Sequence, residues 1–121
     1  MQPSSKVHLY DFEVASNDAV GEKVYRLLMR SPELASELRP GQFMNVAVPG
    51  DASHIVRLPF SFASTDPEAG TVELIYAVVG EGTRRLSEMP AGSTSTVVGP
   101  CGNGWDVKPG GRALAVAGGV G

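Results

Sequence analysis

Pro59 stands in the middle of a run, residues 54–64, that otherwise reads as a β-strand. Alternate residues of a strand face opposite ways, so Arg57, Pro59 and Ser61 share one face while Leu58, Phe60 and Phe62 share the other. One face is polar and the other belongs to a core. A proline has no N–H to give to a ladder, so at this point the strand lacks a paired neighbour on one side: it lies at an edge, bulges or faces a ligand. The chain therefore has to build a sheet with an opening at residues 57–61.

A second stretch, Gly80-Glu81-Gly82-Thr83, leads into residues 83–89, the one segment that reads as a helix. It stops before Pro90 because proline pushes the preceding residue away from helical backbone. A helix start offers unpaired backbone N–H groups and Arg57 offers a fixed cation, and both favour oxyanions. If the two stretches meet, a phosphate-bearing ligand can sit between them.

Strand-like runs recur at 6–14, where Val7, Leu9 and Val14 alternate imperfectly, and at 24–29, 42–48, 71–79 and 93–98. Residues 32–38 allow one helical turn. Pro40-Gly41, Pro49-Gly50 and the stretch 65–70 supply the turns between them, since proline presets φ and glycine permits φ > 0. About six short strands with Gly/Pro turns and one short helix describe an all-β, small antiparallel Greek-key barrel. Residues 112–117 change character to a run that is apolar after Arg112, as buried parallel strands are, followed at once by Gly118-Gly119-Val120-Gly121. The expected organisation is a barrel domain over 1–110, with 111–121 opening a second domain.

With 121 residues, 42% of them hydrophobic, the chain is long enough for one core, and a net charge of -3 without a Lys/Arg run argues against a nucleic-acid surface. The N-terminus lacks a signal-peptide pattern and no apolar run reaches membrane-span length, so no membrane is expected and the default location is cytoplasmic. Cys101 is the only cysteine, which leaves no disulfide and no metal cluster; His8 and His54 lack ligand spacing, and no metal site is expected. No two carboxylates are placed for acid–base work, so no catalytic residue is assigned. Taken singly, Arg57 is an ordinary surface residue, Ser61 and Thr83 are turn or cap residues, and Trp105 caps the barrel.

Taken in order, Pro40-Gly41-Gln42-Phe43, the Arg-x-Pro-x-Ser element at 57–61, Ile75-Tyr76 running into Gly80-Glu81-Gly82-Thr83, Gly99-Pro100-Cys101-Gly102-Asn103-Gly104 and the final Gly-Gly-Val-Gly resemble the ferredoxin reductase-like flavoproteins. Within them the chain looks most like the dihydroorotate dehydrogenase electron-transfer branch; sulfide dehydrogenase and ferredoxin:NADP reductase subunits share the motifs. The resemblance implies an FAD-binding barrel, with a Rossmann-like NAD domain and a two-iron two-sulfur cluster in the full-length parent, and a catalytic dihydroorotate dehydrogenase subunit as partner. It implies that Arg57 meets the FAD pyrophosphate and that Leu58, Pro59, Phe60 and Ser61 lie along the flavin, with Ser61 near its redox-active nitrogen. Tyr76 and Val78 would flank the cofactor, and Gly80, Gly82 and Thr83 would receive phosphate. Pro59 replaces a tyrosine that stacks on the flavin in many relatives. The alternatives are a non-redox barrel of the OB or riboflavin-synthase type and, compatible with an electron-transfer domain, an interaction module associating, as a homo-oligomer for instance, through the edge of 113–117.

Overall fold

The computed structural model describes residues 7–49, 56–106 and 108–120. Among the described residues, seven strands form one sheet: β1 His8–Gly21, β2 Val24–Arg30, β3 Phe43–Val48, β4 Val56–Ser61, β5 Ser64–Asp66, β6 Thr71–Ala77 and β7 Thr94–Cys101. Their order across the sheet is β4-β3-β7-β1-β2-β6-β5, and every pairing is antiparallel. Two helices join them, α1 Pro32–Glu37 and α2 Glu81–Ser87. The all-β class is as expected, but there is one more strand, β5, and one more helix, α1.

The sheet curls around a core drawn from alternate positions. Tyr10, Phe12 and Val14 of β1, Leu27 and Met29 of β2, Met44, Val46 and Val48 of β3, and Val72, Leu74 and Tyr76 of β6 all point inward. The phase of β1 corrects the sequence reading: Val7 and Leu9 are exposed, and Tyr10 and Phe12, on either side of Asp11, face in. A strand's two faces are distinguishable only by what covers them, and α1 and the curled sheet cover the Tyr10 side. β1 also runs well past Val14, because a register shift at Ala15 lets it continue as a hairpin with β2. Lys6, expected in this strand, lies outside the described residues.

α1 closes one end of the curl by burying Leu34 and Ala35, with Pro32 in the first turn, where its missing N–H costs nothing. Ser31 Oγ donates to the Asp11 carbonyl at 3.1 Å and anchors the helix start to β1. Gly70, at φ +72, must be glycine for a second reason: a Cβ there would come within 2.8 Å of Pro32.

The run 54–64 resolves into β4 and β5, broken at Phe62-Ala63, and His54 lies outside the described residues. β4 is an edge strand paired only with β3, as Pro59 requires. Thr65 and Asp66, expected in a turn, belong to β5, and the turn itself is 67–70. β6 ends at Ala77 rather than Val79, while β7 extends through Cys101.

α2 begins two residues before Thr83 and ends at Ser87. Its start is set by Thr83, whose Oγ accepts the amides of Val79 at 2.9 Å and Gly80 at 3.1 Å. Residues 112–117 form no strand: they are exposed and carry no ladder bonds, with Leu114 and Val116 each 89% exposed. A parallel strand takes its hydrogen bonds from neighbours on both sides, and no described strand lies beside this run. Among the described residues, no helix is long and apolar enough to cross a membrane.

Candidate functional site

The open edge and the helix start meet. β4 and β6 face each other across a seam with no ladder between them, and a groove of about 400 Å³ occupies it. One wall is Leu58, Pro59, Phe60 and Ser61; the other is Ile75, Tyr76 and Ala77, with Val79 from the approach to α2, Thr83 from its first turn, and Val120. The lining is apolar apart from two hydroxyls and the tyrosine, in the size range of pockets that take flat organic ligands.

The walls are held from behind. The ring of Tyr76 stacks on Tyr25 with centroids 5.8 Å apart and meets the edge of Phe60 at 5.9 Å. Its hydroxyl donates to Asn17 Oδ1 at 2.9 Å, away from solvent. Burial pushes the Tyr76 hydroxyl up to about 12, so it stays protonated and remains a donor throughout the neutral range.

α2 abuts β4 at one contact. A Cβ on Gly82 would meet Leu58 Cδ1 at 2.7 Å, so the glycine lets the first helical turn lie directly on the Leu58 side chain without displacing its methyl. The amides of Glu81, Gly82 and Thr83 take no intrahelical partner, as at any helix start. Arg84 and Arg85 both hydrogen-bond Glu81, holding its carboxyl below the usual range, and Arg84 also pairs with Glu88.

Arg57 shares the outer face of β4 with Pro59 and Ser61, as the alternation requires, opposite Ala47 of β3. Its guanidinium is turned along that face: Nη2 donates to Thr96 Oγ1 at 3.0 Å, and Nη1 lies 3.5 Å from the carbonyls of Asn45 and Thr96. It does not line the groove, and no carboxylate among the described residues pairs with it. Val78 is half-buried against the core and Gly80 is exposed; neither lines the groove. Thr83 lines it, but its hydroxyl also donates to the Gly80 carbonyl at 3.2 Å and is occupied within the turn.

Sequence reasoning passed over Asn17, Ala77, Val79 and Val120. Val79 and Val120 flank glycines in loops and carry no periodic signal. Asn17 had one: the inward alternation Tyr10, Phe12, Val14 breaks just before it, which marks a bulge. Trp105 is 74% exposed, but its backbone N–H donates to the Pro40 carbonyl at 2.8 Å and its ring lies over Gly41. Cys101 ends β7, its Sγ 3.6 Å from Asn45 Nδ2.

The curled antiparallel sheet with its two short helices is the architecture of ferredoxin reductase-type FAD-binding domains. A solved NADH-dependent reduced ferredoxin-NADP oxidoreductase superposes with a TM-score of 0.71 at 32% identity, over 78% of this chain and 34% of that one. The ferredoxin reductase of carbazole 1,9a-dioxygenase gives 0.70 at 23% identity over 89% of this chain and 32% of that one, and shares the fold. The family model described as the oxidoreductase FAD-binding domain matches residues 6–105, and the chain belongs to that family.

Among curated proteins, the chain is 36% identical over 119 residues to the dihydroorotate dehydrogenase B (NAD(+)) electron transfer subunit of Bacillus velezensis, covering 96% of this chain and 45% of that protein. It is 39% identical over 112 residues to the subunit of the same name from Bacillus caldolyticus, covering 89% of this chain and 43% of that one. The chain thus spans less than half the length of the curated relatives it matches. Its cofactor is FAD, and the residues present suit one: a largely apolar seam, a glycine at the strand-to-helix contact, and helix-start amides without intrahelical partners.

Proposed function

We propose that this chain is the flavin domain of a dihydroorotate dehydrogenase-type electron-transfer subunit, and that the seam between β4 and β6 holds the flavin. The observation that carries the reading is the groove itself, which places Leu58, Pro59, Phe60 and Ser61 opposite Tyr76 and beside the start of α2. The bound flavin supplies the redox chemistry, and the protein supplies orientation, exclusion of water and electrostatics. Pro59 presents a rigid apolar surface where a stacking ring is absent, and Ser61 presents its hydroxyl or backbone amide to the ring's redox-active nitrogen. Arg57 gives up its contacts with Asn45 and Thr96 and turns to the pyrophosphate, while the amides of Gly82 and Thr83 take the remaining phosphate oxygens.

In the whole protein, this domain passes electrons from dihydroorotate, oxidised on a separate catalytic subunit, towards NAD, with residues 111–121 leading into the nicotinamide domain. The similarity to subunits named for that enzyme supports this choice over sulfide dehydrogenase or a general ferredoxin:NADP reductase.

Visible absorption titrations test the reading. The chain takes up FAD more tightly than FMN, and Arg57→Ala weakens FAD on the order of tenfold while leaving FMN less affected, as loss of a charge-assisted bond to the pyrophosphate predicts. Equal affinity for FAD and FMN in both proteins would remove Arg57 from the pyrophosphate site.

A further inference from the structure

We propose that Asn17 is a positioning residue for the flavin: it locks the Tyr76 wall of the groove and the C-terminal end of α2 into one unit, so that the ring site and the phosphate site keep a fixed separation. The inference rests on the groove being the flavin site.

Three hydrogen bonds converge on this one side chain. Nδ2 donates to the carbonyl of Leu86 at 2.7 Å and to that of Met89 at 3.1 Å, and Oδ1 accepts the Tyr76 hydroxyl at 2.9 Å. The amide can face only this way, because two carbonyls require a donor and the protonated tyrosine requires an acceptor. Both amide hydrogens are used. The Leu86 carbonyl also accepts the Met89 amide at 3.2 Å, so Asn17 adds from β1 a second bond to that carbonyl and one to the Met89 carbonyl, fastening the C-terminal end of α2 to the strand.

A bulge puts Asn17 there. In unbroken alternation Ser16 would follow Val14 inward; the register shift at Ala15 instead sets Asn17 opposite the buried Leu27. Bulges that re-aim one side chain concentrate beside functional sites. The two elements that Asn17 joins make different parts of the cofactor site. β6 contributes the Tyr76 ring to the groove, and α2 contributes the Gly82 turn that lies on Leu58. Without Asn17, the polar groups of Tyr76, Leu86 and Met89 lose their shared partner, and the C-terminal end of α2 is left to its apolar contacts through Leu86 and Met89.

Riboflavin and FAD separate these parts. Riboflavin needs the groove, whereas FAD needs the groove and α2 in register. Titrations of the 121-residue chain followed by flavin fluorescence therefore show Asn17→Ala lowering FAD affinity on the order of tenfold more than riboflavin affinity. Asn17→Asp keeps the acceptor for Tyr76 but loses both donors to α2, and gives the same selective loss. Tyr76→Phe gives a smaller one, and the double variant Asn17→Ala/Tyr76→Phe is no worse than Asn17→Ala alone, since both act through one network. If the Asn17 variants melt at lower temperature yet keep the wild-type ratio of FAD to riboflavin affinity, Asn17 is a structural link only and the proposal is overturned. Pro59→Asp, on the exposed edge, is the control for the site itself. Unchanged binding of both flavins in that variant would remove the flavin from the groove, a failure distinct from an unchanged ratio in the Asn17 variants.

Discussion

α1 and α2 differ by one residue in length, yet their faces have almost nothing in common. α1 buries Leu34 and Ala35 completely enough to plug one end of the curled sheet, and it makes no contribution to the groove. α2 buries Leu86 alone along its length, carries Glu81, Arg84 and Arg85 on its exposed face, and reaches the open edge strand through a glycine. One helix is held by the area it removes from water, which is large and non-directional. The other is held by directed contacts: the Thr83 turn at its start, Leu58 at its first turn and Asn17 at its end. A helix secured this way can keep its N-terminal amides available to a ligand, because apolar burial does not cover them.

That contrast can be broken at either helix. Leu34→Ala should have the largest effect, about 2–5 kcal/mol of lost stability for a fully buried leucine, read from denaturant unfolding. The folded fraction should bind FAD as the wild type does; a matching loss of affinity would mean that the plug and the groove are coupled. Gly82→Ala should do the reverse. The gain in helix propensity, about 1 kcal/mol, offsets the displacement of the Leu58 methyl, so stability changes little. FAD affinity should fall on the order of tenfold, because the helix start backs away from β4. A large drop in melting temperature with unchanged affinity would reverse the assignment of α2.

Thr83→Ala removes the acceptor shared by the Val79 and Gly80 amides. It should cost about 0.5–1.5 kcal/mol, with a larger effect on FAD than on riboflavin, by the same pair of titrations.

The smallest effect belongs to neither helix. Glu73, on β6, is held below its usual 4.5 chiefly by the Arg26 hydrogen bond and then by that of Ser64. Its folded-state pKa is depressed, so its contribution is present above the unfolded value and is lost as pH falls through the folded one. Arg26→Ala should remove about 0.2–1 kcal/mol at neutral pH, as for a part-exposed pair. It should also flatten the loss of stability on acidification below about pH 4.5. A wild-type and variant difference that persists unchanged at low pH would show that Arg26 acts through packing.

How much of this was legible before folding depends on the range of the interaction responsible. The proline in 57–61 excluded a central strand by local chemistry alone, and β4 lies at the edge. Gly-Glu-Gly-Thr marked the start of α2 within two residues, because the threonine that closes the turn is a neighbour in sequence. The strand at 112–117 was read from apolarity, which records what a segment could bury and not whether neighbours are present. The face of β1 was misread because Val7 and Leu9 are as apolar as Tyr10 and Phe12, and only the covering elements distinguish the sides. Arg57 was legible as an outer-face cation, but the direction of its guanidinium depends on Thr96, two strands away in the sheet.

By itself, the sequence determined the all-β class, the edge position of the proline strand, the glycine at the helix start and the order of motifs that matches an FAD-binding domain. These follow from backbone geometry that each residue carries with it: a missing N–H, a missing Cβ, a two-residue alternation. Only the tertiary structure decided that the seam opens between β4 and β6, that Gly82 lies on Leu58, and that Asn17 joins Tyr76 to α2. Those contacts link residues far apart in the chain, and their geometry is set by the curl of the whole sheet and by a single bulge rather than by any local preference.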